Sequence, residues 1–377
     1  MPTAPPLAIV LSLALSLGLS SCGPDRSPYD PSVLAASIPD VVAALEAGDA
    51  EGALALIEVH RVSGTAPEGI WHYEGVALMD AGRSADALET LGHELGARPG
   101  NGQAQLIMAE ALLDLGRAQQ ALPHLERARA LLPSLPYVEL VSARVALARE
   151  DDRGAAAGFT GYLKHDAWSP RAAEAHHGLA QLARAAGTLG VADRHEALSA
   201  QIERAQQVLN AQRQRLALDP SDSTAALGVG MVYLSLHNEV VSDPRLLSRA
   251  AEAFAACLES DPDNLRALYN LGFVAMVQGR TQQAAMLWKR TVALDPEHAG
   301  ALLNGGLLAA REHDLAPALE LLERALTHSE DPGEAVRAHR ALEQVLREMG
   351  QEKRAEIHAQ AARDLAPAAA DPGSPGH

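Results

Sequence analysis

One stretch of the sequence sets the pattern for most of the chain: residues 265–296 read LRALYNLGFVAMVQGRTQQAAMLWKRTVALDP. Apolar or small residues recur three, four and seven positions apart on both sides of Gly279, which is the periodicity of two amphipathic helices joined by a glycine turn. Gly272 removes a side chain where the two helices must approach closely, and Pro296 ends the second helix. The closing Asp-Pro pair also occurs 34 residues earlier, and this period predicts stacked helical repeats.

The stretch resembles the tetratricopeptide repeat (TPR), in which apolar, small and aromatic residues occupy fixed positions of a helical hairpin. The residues at those positions are Leu268, Leu271, Gly272, Ala275, Ala284, Trp288 and Pro296. Similar spacing recurs across residues 38–367 as about nine units. The resemblance implies an all-α fold, a right-handed superhelix (solenoid) of about nine TPR-like helical hairpins.

Three irregularities interrupt the predicted array. No Pro or Gly interrupts residues 191–218, so one helix should be unusually long. Extra residues near Asn238 form an insertion in the following unit, and Glu150 and Asp151 replace the turn glycine of an earlier one. We therefore predict an N-terminal TPR-like array at 37–218 that ends in the long helix, a C-terminal TPR array at 219–367 and a disordered tail at 368–377. Residues 1–21, which end in Leu-Ser-Ser before Cys22, resemble a lipoprotein signal peptide, and residues 22–36 are predicted to form a tether.

The N-terminal segment has the pattern of an export signal. Residues 7–19 are almost wholly apolar and too short to span a bilayer comfortably. They run into Leu-Ser-Ser-Cys, which resembles the signal of bacterial lipoproteins and implies that Cys22 carries the lipid, palmitate included, and begins the mature chain. Because Gly23 follows and not the Asp that retains enteric lipoproteins at the inner membrane, the resemblance favours the outer membrane, facing the periplasm. No Lys or Arg precedes Leu7, so an uncleaved apolar N-terminus or a misplaced start codon stays open.

Composition excludes several classes of protein. The chain has 31 basic and 48 acidic residues and a formal charge of -17, which repels phosphate backbones and argues against nucleic-acid binding. Two cysteines cannot form a disulfide framework. Aromatic residues make up 3% of the chain and no stretch alternates with period two, so we expect helix packing and almost no strand.

The sequence offers little for chemistry, and we predict no catalytic residue, no cofactor and no metal. A Gly-rich phosphate loop and a His-Glu-x-x-His motif are both missing. Cys257 occupies a position for a small packing residue, which predicts a buried, inert thiol. His176 and His177 point about 100° apart on a helix, and His72 lies in a different unit, so these histidines do not converge on one ion.

The TPR resemblance also implies where a partner would bind, because the first helix of each hairpin lines the concave groove in that family. The residues carried over to the groove are Leu227, Met231, Leu234, Tyr269, Asn270, Phe273, Met276, Leu303, Asn304 and Leu307. An apolar, Met-containing groove suits an amphipathic helix or an extended peptide. Packing between repeats explains the apolar residues equally well. Asn270 and Asn304 resemble the family's asparagines that hold a peptide backbone, and ordinary consensus residues are an equal explanation for them.

A second candidate surface is basic. Arg337, Arg340 and Arg347 share one face of the last unit's first helix, where an acidic partner could dock. A solvated polar cap, which terminal repeats need, explains the same residues.

Together these features predict a membrane-anchored, non-catalytic scaffold or adaptor that binds a protein or peptide partner in the bacterial cell envelope. Two alternatives are an envelope enzyme, with its site in residues 136–170 or near Asn238, and a structural spacer that self-associates through the long helix.

Overall fold

The computed structural model describes residues 37–67 and 69–369, and this part of the chain contains 18 α-helices and no strand. The all-α prediction is therefore confirmed. The helices form nine consecutive hairpins within the described residues, as the repeat spacing predicted. The predicted signal peptide, tether and lipidated Cys22, and most of the predicted tail, lie outside the described residues.

The described residues belong to two compact units, the first ending at Glu203 and the second beginning at Arg204. The helices of the first unit are α1 (Pro39–Glu46), α2 (Ala50–Val62), α3 (Ile70–Asp80), α4 (Ser84–Ala97), α5 (Gly102–Asp114), α6 (Ala118–Leu131), α7 (Tyr137–Ala148), α8 (Asp152–His165), α9 (Pro170–Ala185) and the first part of α10 (Leu189–Leu218). The second unit holds the rest of α10, α11 (Ser223–Ser235), α12 (Pro244–Ser260), α13 (Leu265–Val277), α14 (Thr281–Leu294), α15 (Ala299–Arg311), α16 (Leu315–His328), α17 (Pro332–Glu348) and α18 (Glu352–Ala369).

In eight of the nine hairpins of the described residues the turn contains a left-handed residue; the exception is α11–α12, which holds the insertion. At Gly279 φ is +77°, the Gly279 N–H donates to the Met276 carbonyl at 3.0 Å, and the Arg280 N–H donates to the Ala275 carbonyl at 2.8 Å. These bonds satisfy carbonyls that the end of α13 would leave free. Glu150 and His313 take the same conformation with φ of +60° and +59°, although a side chain makes it costly. The turn geometry is thus kept where glycine is absent.

Close packing of the two helices in a hairpin depends on small residues. A Cβ atom at Gly272 would lie 2.5 Å from Nε1 of Trp288, whose side chain is buried between α13 and α14. The indole N–H of Trp288 donates to the Tyr269 carbonyl at 3.2 Å, which holds the ring in place. The predicted close approach at Gly272 is confirmed. The same pairing of a glycine with a large side chain occurs at Gly75 and Leu91, Gly230 and Phe254, and Gly306 and Leu322.

The structure contains both the predicted long helix and the predicted insertion near Asn238. Helix α10 runs for 30 residues, as the uninterrupted stretch predicted. The insertion near Asn238 begins with a single π-helical turn, Leu236–Val240, and helix α12 starts at Pro244. In the described residues, no helix combines the length and the apolar character needed to cross a membrane.

Candidate functional site

The ten predicted groove residues all lie on α11, α13 and α15, the first helices of three consecutive hairpins in the second unit. None of the ten is fully exposed. Leu227, Leu234 and Leu303 are buried, with 7%, 6% and 1% of their surface exposed, so they contribute to the core. The other seven are half-buried, and we call them the first-helix surface: Met231, Tyr269, Asn270, Phe273, Met276, Asn304 and Leu307.

The apolar members of the first-helix surface touch both the core and the solvent. Tyr269, Phe273 and Met276 pack against the cluster that contains Trp288 and Leu308. Each of the three is half-buried, so part of each side chain is in contact with water. Removing that apolar area from water would stabilise a complex by about 25 cal/mol per Å².

The polar members are already hydrogen-bonded within the unit. Asn304 Nδ2 donates to the Tyr269 hydroxyl at 3.2 Å, and Arg337 donates to Asn304 Oδ1 at 3.2 Å. Asn270 Nδ2 donates to the Arg266 carbonyl at 2.7 Å. Burial raises the pKa of Tyr269, which keeps its hydroxyl neutral. These contacts connect α13, α15 and α17, and Asn304 uses both ends of its amide for them.

The predicted basic surface carries less free charge than its sequence indicates. Arg347 forms an ion pair with Glu343 of its own helix α17 at 2.5 Å. It also has a longer contact, at 4.0 Å, with Glu352 at the start of α18. Arg337 and Arg340 are exposed and lie three residues apart on α17. The cationic part of this surface therefore consists mainly of Arg337 and Arg340, next to the first-helix surface through Asn304.

The first unit contains a buried ionic network that sequence reasoning missed. Glu110 is 3% exposed, and its Oε1 accepts from the Tyr137 hydroxyl and from Arg144 at 3.1 Å. Arg144 also contacts Asp114 at 3.4 Å and Glu174 at 3.3 Å. The guanidinium of Arg171 lies 3.7 Å from the ring centroid of Tyr137, a cation–π contact.

Burial dominates the electrostatics of this network. It raises the pKa of Glu110, while the charges of Arg144 and Arg171 and the hydrogen bond from Tyr137 act in the opposite direction. The other carboxylate oxygen, Oε2, is buried without a hydrogen bond. A repeat-based signal existed in the sequence: Glu110 and Arg144 each lie six residues before their turn residue, the position that Phe273 occupies in its own repeat.

The cysteine and histidines behave differently from one another. Cys257 is fully buried, which confirms the predicted buried thiol, and burial raises its pKa. His72 is also buried, and this lowers its pKa to about 4. His177 is hydrogen-bonded to Gln181 of its own helix, with 3.0 Å between the two Nε2 atoms. No three His, Cys, Asp or Glu side chains converge as a possible metal site within 37–67 and 69–369.

Two histidine pairs were not predicted, because His176 was compared with His177 on the same helix and not with residues of the following helix. In the structure His176 on α9 faces His195 on α10, with 2.9 Å between the Nδ1 atoms. His339 on α17 faces His358 on α18 in the same way, at 2.8 Å. Their shared separation of 19 residues was the signal available in the sequence.

Comparison with known proteins gives a family match. Residues 74–136, 245–288 and 274–335 match the model of the tetratricopeptide repeat family. No curated protein matches the sequence.

Several solved structures resemble parts of the chain. MamA from Desulfovibrio magneticus RS-1, from its residue 41 to the end, is 18% identical, with 53% of this chain and 97% of that chain covered and a TM-score of 0.37. PilF of Pseudomonas aeruginosa is 16% identical, with 63% and 93% covered and a TM-score of 0.35. YrrB, described as a TPR protein with an unusual peptide-binding site, is 19% identical, with 57% of this chain and 97% of that chain covered and a TM-score of 0.24. At these identities and TM-scores the likenesses carry no argument about what this chain binds.

Proposed function

This chain is a tetratricopeptide repeat protein, and from that premise we propose that it is a non-catalytic scaffold whose first-helix surface binds a protein or peptide partner. The repeat fold supports a role in protein–protein interaction. The observation that supports this location is the set of half-buried apolar side chains on consecutive first helices, namely Met231, Phe273, Met276 and Leu307. An apolar segment of a partner that covered them would remove their remaining surface from water.

The two exposed arginines beside this surface indicate which way a partner would lie on it. Arg337 and Arg340 are exposed at one side of the apolar residues, and Asn304 holds Arg337 by a 3.2 Å hydrogen bond. An acidic group of the partner would meet these two cations while its apolar residues cover Phe273 and Leu307.

We further propose that the scaffold is anchored by a lipid on Cys22 at the surface of a bacterial membrane, the outer membrane facing the periplasm. The Leu-Ser-Ser-Cys sequence supports this anchor. Two acyl chains hold a protein at a bilayer far more firmly than one, since each buried methylene contributes about 0.8 kcal/mol. Cys22→Ala should move the protein from the membrane fraction to the soluble fraction of cells that carry it. If the variant sediments with membranes as the parent does, the anchor is wrong.

Site-specific photocrosslinking tests the binding surface with two methionines of one hairpin. Met276 on α13 belongs to the first-helix surface, whereas Met286 on α14 is 66% exposed on the second helix. A photoreactive amino acid at 276 should crosslink a partner in intact cells, and the same residue at 286 should not. Mass spectrometry would identify the crosslinked segment. Equal crosslinking from both positions would reject the proposed surface.

Charge substitutions provide an independent test. Phe273→Asp combined with Leu307→Asp should abolish crosslinking from position 276, because a carboxylate in the interface loses its hydration without a partner. Met286→Asp combined with Leu294→Asp changes two exposed apolar residues of α14 and is the matched control. Circular dichroism must show unchanged helix content in both proteins. Undiminished crosslinking in the first variant would refute the proposal.

A further inference from the structure

The two histidine pairs have the same geometry in two different hairpins. Each first histidine lies 11 residues before its turn glycine, and each second histidine lies eight residues after it. The ring centroids are 5.1 Å apart in both pairs, with interplanar angles of 31° and 41°. In both pairs the closest ring atoms are the two Nδ1 nitrogens. The arrangement is therefore set by the register of the hairpin.

Two nitrogens at this distance share a single hydrogen bond when both rings are neutral. One Nδ1 then carries the proton and the other accepts it. Both rings are half-buried, which disfavours the charged form of each. If the protonated Nδ1 transfers its hydrogen to the Nε2 of the same ring, both Nδ1 lone pairs become available and no net proton is released. A neutral pair of this kind can bind a cation beside the line that joins the two nitrogens, once each ring turns its Nδ1 lone pair toward that point.

We propose that His339 and His358 form a bidentate site for a divalent transition ion that prefers right-angled ligands, Ni²⁺ or Cu²⁺, with water in the other positions. With metal–nitrogen bonds of about 2.0–2.1 Å, nitrogens 2.8 Å apart subtend roughly 85° at the metal. That is close to the right angle of square-planar and octahedral coordination. Tetrahedral Zn²⁺ would need the nitrogens about 3.3 Å apart.

The pair in the last hairpin fits a cation better than the pair on α9 and α10. His339 and His358 are both half-buried, whereas His176 is only 8% exposed. The charged groups acting on His358 are Arg354 and Glu323, which form an ion pair with each other at 2.5 Å. Their opposite charges largely cancel at the site.

The pair on α9 and α10 lacks that balance. The charged group acting on His195 is Arg194, and its positive charge opposes the approach of a cation. The His176–His195 pair therefore serves as the internal comparison, with the same donor geometry in a less favourable charge and solvent environment.

Calorimetric titration of the purified full chain with Ni²⁺ near pH 7.5 tests the site, because Ni²⁺ does not oxidise the cysteine thiols. The parent protein should show one saturable binding event at one equivalent. His358→Gln and, separately, His339→Gln should each lose that event, since one remaining imidazole cannot chelate. His195→Gln and His313→Gln are controls that keep it; His313 is an exposed histidine in the turn between α15 and α16.

Several results would overturn the site. They are an absence of saturable Ni²⁺ binding in the parent, retention of the event in His358→Gln, or its loss in His195→Gln. Tighter binding of Zn²⁺ than of Ni²⁺ would contradict the right-angled geometry. Circular dichroism of each variant must match the parent, and the two single variants at 339 and 358 must agree, so that a folding defect in one of them cannot imitate the loss. The outcome does not depend on the proposed partner surface, which the crosslinking experiment tests alone.

Discussion

Replacing Gly272 by alanine should destabilise the α13–α14 hairpin, although alanine is the better helix former. The new Cβ would lie 2.5 Å from Nε1, 2.9 Å from Cδ1 and 3.0 Å from Cε2 of Trp288. These are atoms of a rigid ring that is 2% exposed and hydrogen-bonded to the Tyr269 carbonyl, so the ring cannot move aside freely. The backbone or the indole must shift instead.

The magnitude follows from two opposing effects. Removing a glycine from a helix interior stabilises by about 0.5–1 kcal/mol, and overpacking a filled core costs about 1–3 kcal/mol. We expect a net loss of about 1 kcal/mol for Gly272→Ala. Gly305 on α15 is the matched control, because the nearest atom to its Cβ would be Leu321 Cδ1 at an ordinary 3.6 Å. Gly305→Ala should therefore gain about 0.5–1 kcal/mol.

Urea unfolding followed by circular dichroism would compare the midpoints of the two variants with the parent. Because long repeat arrays need not unfold in one step, amide hydrogen exchange of α13 and α14 should accompany it. We expect faster exchange there in Gly272→Ala and unchanged or slower exchange in α15 of Gly305→Ala. If Gly272→Ala stabilises the protein as much as Gly305→Ala does, close approach is not the reason for glycine at this position.

Two further predictions concern single residues. Glu150 has φ of +60°, which strains a residue with a side chain. Glu150→Gly should therefore raise the unfolding free energy by about 1 kcal/mol, whereas Glu150→Ala should leave it nearly unchanged. Urea midpoints of the two variants would compare these effects, and equal effects would contradict the strain. Burial holds the pKa of His72 at about 4 against an ordinary 6.5, so its contribution to stability is present above pH 6.5 and lost as pH falls from there through 4. The loss of unfolding free energy should reach about 3 kcal/mol below pH 4. In His72→Gln the unfolding free energy should depend less steeply on pH between 6.5 and 4. An identical slope in the variant would exclude His72 as the cause.

The fold was predictable because its determinants are local. The spacing from Leu268 through Gly272 to Trp288 requires only helical periodicity and one close approach, and the structure has both. The unusual length of helix α10 followed from the absence of Pro and Gly between residues 191 and 218. Each of these features depends on residues within one hairpin, so no knowledge of distant contacts was needed.

The candidate surface was less predictable, because exposure depends on how consecutive hairpins pack. Leu303 and Phe273 were both predicted to line the groove, yet Leu303 is 1% exposed and Phe273 is half-buried. Asn304 resembles a family residue that holds a peptide backbone, and the sequence did not show that its amide is hydrogen-bonded to Tyr269 and Arg337. The histidine pairs depend on which residues of two antiparallel helices face each other, which the period along one helix does not show.

The position six residues before the turn separates two ways of using one repeat. In two repeats of the first unit it holds Glu110 and Arg144, which pair at 3.1 Å. Burying either charge alone would be far more costly, so each requires the other. In the second unit the same position holds Phe273 and Leu307, which need no specific partner inside the unit. The two opposite charges compensate each other within the unit, although Glu110 Oε2 has no hydrogen bond. The apolar pair keeps part of its surface in water, and only an added apolar surface can remove it. This difference is the physical reason for expecting a partner on α13 and α15 and not at the Glu110–Arg144 contact.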